Sequence, residues 1–155
     1  MSLDAGFLVA GLVVVLAVRQ DAPARAAEPE EAAETAALSW LSIVDAGDYQ
    51  DSWHSASELF RQNMARFGKD ASFWAKSLGV ARKPLGEVRS RKSTSVQPKR
   101  GAGAPLVEIV YTSAFAAADG VKETLVMTLE DDGEWRMASY VIERIGSSIA
   151  SVEIR

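Results

Sequence analysis

The apolar residues change their period once, near Glu87, and that change limits the possible folds more than any other feature. Before it they recur at gaps of three and four. After it they alternate. An amphipathic helix repeats every 3.6 residues or so and a half-buried strand every two. Helices first and strands afterwards, without interleaving, predict an α+β domain with helices packed on a curved antiparallel sheet that wraps around them.

The helical half reads in three parts. Ala33, Ala37, Trp40, Leu41 and Val44 share one face, with Glu30, Glu31 and Glu34 near the helix start, where negative charge suits the macrodipole. Gly47 ends this helix and Asp48 is placed to cap the next. A second stripe follows: Tyr49, Trp53, Ala56, Phe60, Met64 and Phe67, bent near Ser55 and Ser57 and closed by Gly68. Asp70 caps a third helix, whose face is Trp74, Leu78 and Ala81. Pro84 and Gly86 stop it. Trp53, Phe60 and Trp74 are expected in the core.

Four strands are expected after Glu87. "EVRSRKSTSV" is the first, and "PKRGAGAP" (98–105) is a flexible link. "LVEIVYTSAF" aligns Val107, Ile109, Tyr111 and Phe115. "DG" at 119–120 reads as a turn. "ETLVMTLE" places Leu125, Met127 and Leu129 on one face, "DDG" at 131–133 is a second turn, and "EWRMASYVIERI" closes an antiparallel meander.

Ahead of this domain, residues 5–18 are fourteen apolar residues without a charge. As a helix they would span about 21 Å, short of a bilayer core of about 30 Å. The run fits the apolar part of a signal peptide, and Ala-Arg-Ala (24–26) is a small-x-small cleavage pattern before Ala27. Against this, no Lys or Arg precedes the run, while Arg19 and Arg25 follow it. The expected organisation is a signal peptide or membrane anchor (1–26), an acidic linker (27–31), one domain (32–145) and a C-terminal tail (146–155). Periplasmic or secreted placement is the first reading and membrane anchoring the alternative. Membrane contact is then expected only through residues 5–18, if they are retained.

Composition narrows the chemistry. The 155 residues contain no cysteine and one histidine, His54. Disulfides, thiolate nucleophiles and multi-histidine metal sites therefore fall away. No cofactor or metal motif is present: "GAGAP" lacks the strand–turn–helix setting and the Lys-Ser/Thr ending of a phosphate loop. A net charge of −4 argues against nucleic acid as a partner. Seven of the seventeen basic residues, Arg82, Lys83, Arg89, Arg91, Lys92, Lys99 and Arg100, nevertheless crowd into one stretch. Arg89, Arg91 and Lys92 are the candidate binding residues for an acidic partner. The plainer reading is a solvated sheet face whose charges discourage edge pairing.

"ALSWLSIVDAGDYQDSWHSAS", "PLGEVRSRK" and "GEWRMASYVI" together resemble a bacterial domain family of unknown function found mainly in exported proteins. The resemblance covers about residues 32–145. That family is similar in shape to the nuclear-transport-factor-two-like (cystatin-like) cone, with helices held in the concave side of a strongly bent sheet. The resemblance implies such a cone here and transfers no catalytic residue. Cones of this class often hold a pocket, and some are isomerases or dehydratases. Tyr49, Asp51, His54, Tyr111 and Tyr140, beside Trp53, are the candidates for such chemistry. Alternatively Tyr49 and Trp53 are core stripe, Asp51 is a helix-terminal charge and His54 a solvated neighbour. The expectation is a non-catalytic envelope module that binds a protein or small ligand, with a sheet-to-sheet homodimer possible. The alternative is a small-molecule enzyme using a pocket in the cone.

Overall fold

The computed structural model describes residues 27–101 and 103–145, together with the backbone of a short strand at 152–154. The apolar run 5–18 and the cleavage pattern at 24–26 lie outside the described residues.

Helix α1 spans Pro29–Asp45 and buries Ala33, Ala37, Trp40, Leu41 and Val44, the expected face. It starts inside the segment expected to be a linker. Proline pre-set for the first helical turn, followed by Glu30 and Glu31, explains the early start. The corner at Gly47 is real, with φ at 84°, a conformation that glycine adopts without steric cost. Asp48 stands at the N-cap of α2 (Tyr49–His54), but its side chain makes no capping bond.

The expected bent helix is two helices, α2 and α3 (Glu58–Arg66). Ser57 caps α3 by accepting from Phe60 N. Arg61 donates to the carbonyls of His54 and Ala56, so the frayed end of α2 keeps its hydrogen bonds. Helix α4 (Ala71–Arg82) is capped by Asp70, which accepts from Phe73 N at 2.9 Å. Phe67, expected on the buried stripe, is 73% exposed, because α3 ends at Arg66 and the chain turns away.

The strands are β1 (Val88–Lys99), β2 (Leu106–Phe115), β3 (Ala118–Leu129), β4 (Trp135–Arg144) and β5 (Val152–Ile154). They lie in chain order in one sheet, each antiparallel to its neighbour. Four were expected. The fifth comes from the tail and pairs with Tyr140–Ile142. β1 also takes in Pro98 and Lys99 of the expected link.

The turn after β2 is at Ala116–Ala117, not at Asp119–Gly120, which lie inside β3. Ala116 N donates to Glu87 O and Ala117 N to Leu85 O, so the chain before β1 fixes this turn from outside. The second turn stands as read, with Gly133 N bonded to Glu130 O. A register shift between Val126 and Met127 breaks the alternation of β3. Met127 and Thr128 are both buried, while Leu129 is only half-buried.

The expected nuclear-transport-factor-two-like cone does not form. The sheet is open, with β1 and β5 at opposite ends, and it does not curl around the helices. α1 lies across its inner face and touches β1, β2, β3 and β4 in turn. A helix of this length is a rod of about 25 Å, while four strands are about 15 Å across. A rod laid over the full width supports an open sheet and leaves no concavity to enclose.

The core is the seam between this sheet face and the helices. Trp53, Phe60 and Trp74 are buried there, as expected. Phe60 meets Trp53 and Trp74 edge-on, with centroids 5.5 and 4.9 Å apart. Trp40 lies 5.2 Å from Tyr140. Ser52, fully buried on α2, accepts the Trp74 indole N–H at Oγ and the Trp40 indole N–H at its carbonyl, both at 2.9 Å. One small residue thereby ties α1, α2 and α4 together.

Candidate functional site

Among the described residues, charged side chains meet inside the protein at one place. Glu123 stands on the inner face of β3, level with Tyr111 on β2, and is fully buried. Its Oε1 accepts from Arg82 Nη1 at 2.7 Å and from the Tyr140 hydroxyl at 2.6 Å. Its Oε2 accepts from Arg91 Nε at 2.8 Å and from the Ser113 hydroxyl. Both arginines also reach Asp45 at the end of α1, Arg91 through Nη1 at 2.9 Å. The Arg82 guanidinium lies 4.6 Å from the centre of the Phe115 ring. Two cations and two carboxylates thus join α1, α4, β1 and β3.

Glu123 and the two arginines hold one another ionised. Burial alone would raise the Glu123 carboxyl, but Arg91, Ser113 and Tyr140 keep it below its ordinary value of 4.5. Burial alone would lower both guanidiniums. Tyr140, Glu123 and Asp45 raise Arg82 instead, and hydrogen bonds to Asp45 and Glu123 raise Arg91. Burial and the Glu123 charge push the Tyr140 phenol well up, so it acts as a hydrogen-bond donor. The Tyr111 phenol is raised as well, chiefly by burial. Its hydroxyl is buried without a hydrogen-bond partner.

The candidate residues do not converge. Tyr140 belongs to the internal cluster and Tyr111 lies beside it. Tyr49, Asp51 and His54 are on α2, where Asp51 and His54 are exposed and Tyr49 is half-buried. Tyr49 packs beside Gly79 of α4, where any Cβ would come within 3.4 Å of its ring. The candidate binding residues divide too. Arg91 pairs in register with Ser113 and turns inward to Asp45 and Glu123. Lys92, level with Thr112, is exposed on the outer sheet face. Arg89 is exposed in the bulge between Val88 and Ser90.

Glu123, Asp45 and Ser113 escaped the sequence reading, and Arg82 entered it only as one of the clustered basic residues. One signal was present: alternation places Glu123 on the same face as Val121, Leu125 and Met127. A carboxylate in an apolar row implies a cation facing it.

Two surface features remain. A groove of about 650 Å³ runs between α1 and the start of β4, with Ala36, Trp40, Ile43, Trp135 and Met137 among its walls. None of Tyr49, Asp51, His54, Tyr111 or Tyr140 lines it. The second is the outward side of α4. Phe73, Lys76, Val80 and Lys83 are exposed on one helical face. Lys69 reaches between the rings of Phe73 and Phe67, with Nζ 5.1 and 5.9 Å from their centres. Val80 is 70% exposed. Among the described residues no three His, Cys, Asp or Glu side chains gather as metal ligands. No described helix is long and apolar enough to cross a membrane.

The fold and its internal cluster define a small α+β domain with helices on one face of an open antiparallel meander. Residues 36–140 match the family described as a protein of unknown function, DUF4019, and the chain belongs to that family. The family part of the resemblance is therefore correct and the cone shape attached to it is not. No curated protein and no solved structure matches the chain.

Proposed function

We propose that this domain is a non-catalytic interaction module of the bacterial envelope, and that the outward side of α4 is its contact surface. The observation carrying the reading is the pair of exposed phenylalanines astride Lys69, continued along α4 by Lys76 and Val80 and just past its end by Lys83. Exposed aromatic and aliphatic side chains on one helix face add nothing to a monomer's core. Set among cations, they suit a surface that is apolar in part and acidic in part. The internal cluster has a different role in this reading. Its carboxylates and guanidiniums saturate one another and fix the elements that carry α4.

A photo-reactive residue placed at Val80, and separately at Thr112 on the outer sheet face, tests the proposal in living cells. Adducts are expected at Val80 and not at Thr112, and they should fade when Lys76 and Lys83 are changed to Glu. Equal yields at the two positions, or no adduct at Val80, would remove α4 from the account.

A further inference from the structure

We infer that the partner of the α4 face is an anionic bilayer surface, an inference that rests on the reading of α4 as the contact surface. From Arg66 to Gly86 the one acidic residue is Asp70, against Arg66, Lys69, Lys76, Arg82 and Lys83. Arg82 is turned inward, but the other four cations are exposed or half-exposed. This segment is cationic in a chain whose net charge is −4, so the excess is local.

The spacing is that of a helix lying in an interface. Phe73 and Val80 are seven residues apart, as are Lys76 and Lys83, so apolar and basic side chains share one face over two turns. Phe67 extends the apolar line beyond the helix start, and Lys69 links it to Phe73. The Lys69 ammonium sits over both rings, and its long stem lets it swing out to headgroup depth while the rings enter the acyl boundary. A shallow dip lies beside Lys76, Val80 and Lys83, with Ala75 and Pro84 on its walls. Anchoring of this kind combines buried apolar area with attraction to acidic lipid.

The absence of native cysteine allows a site-specific test. Val80→Cys and Thr112→Cys are each labelled with a polarity-sensitive dye in the full chain. Both are mixed with vesicles of equal parts phosphatidylglycerol and phosphatidylcholine, and with phosphatidylcholine alone. The Val80 dye should shift to the blue only on the acidic vesicles. The Thr112 dye should not move, even if residues 5–18 hold the chain on the vesicle. Adding K76E and K83E should weaken the Val80 response by at least about tenfold, since each basic residue near such a surface contributes a several-fold factor. Added salt should reduce it too. No Val80 shift on acidic vesicles, or the same shift on both vesicle types, overturns the inference. If the Val80 adduct in cells persists in that case and is a protein, the contact surface stands and its partner is not lipid. If neither signal appears, both readings fall. A Val80 shift that grows with protein concentration in the absence of vesicles marks a contact between copies and also overturns the membrane assignment.

Discussion

Glu123 is the residue on which the interior depends most. A buried carboxylate is stable only while its cations stay in place, and removing one member leaves the others uncompensated. Glu123→Gln should cost about 3–5 kcal/mol of folding free energy, read from chemical denaturation. An unchanged midpoint would mean that the arginines find sufficient partners in Asp45 and water. The same group sets a pH dependence. Its folded pKa lies below the ordinary 4.5, so its stabilising contribution is complete above that value and is lost as pH falls through the folded pKa. Thermal unfolding followed from about pH 6 down to about pH 3 should fall less steeply in Glu123→Gln than in the parent chain. Tyr111 makes the opposite case. Its hydroxyl is buried without a partner, and deleting an unsatisfied buried group removes a desolvation penalty. Tyr111→Phe should therefore leave stability unchanged or raise it by about 1 kcal/mol. A clear loss would reveal a partner for that oxygen.

At the scale of elements, small polar residues decide what the apolar stripes leave open. The stripe from Tyr49 to Phe67 reads as one bent helix because periodicity does not register a short break. Ser57 and Arg61 make that break stable, one by capping α3 and the other by bonding the last carbonyls of the α2 turn. Ser52 joins two tryptophans from two other helices. Ser52→Ala should cost about 1–3 kcal/mol, because the Trp74 N–H loses its acceptor in a buried site. An unaltered unfolding midpoint would contradict that geometry. The hairpin after β2 carries the same lesson. Asp119–Gly120 is a turn signal, yet the chain turns at Ala116–Ala117 because Leu85 and Glu87 offer carbonyls to those amides. Bonds between segments so far apart in the chain leave no local trace.

For the whole molecule, the helix-then-strand order, the buried faces of α1 and β2, and the Gly47 corner were all legible from period and glycine placement. The curved sheet was expected from the helix-then-strand order and became a cone by likeness to a known shape. Neither formed, because the sheet stays open with α1 laid across β1 to β4. Of the internal cluster, Tyr140 and Arg91 were picked out but for other roles, and only the apolar row around Glu123 signalled a buried charge, since pairing Arg82, Arg91 and Asp45 with it requires knowing which elements face one another. If the α4 face carries the function, lysine acylation in intact cells should differ from that of the purified chain at the lysines of this face. Lys76 and Lys83 should react freely in the purified chain and be protected in cells, while Lys92 on the outer sheet face reacts alike in both. Equal reactivity of Lys76 and Lys83 in the two settings, or protection of Lys92 in their place, would contradict the account.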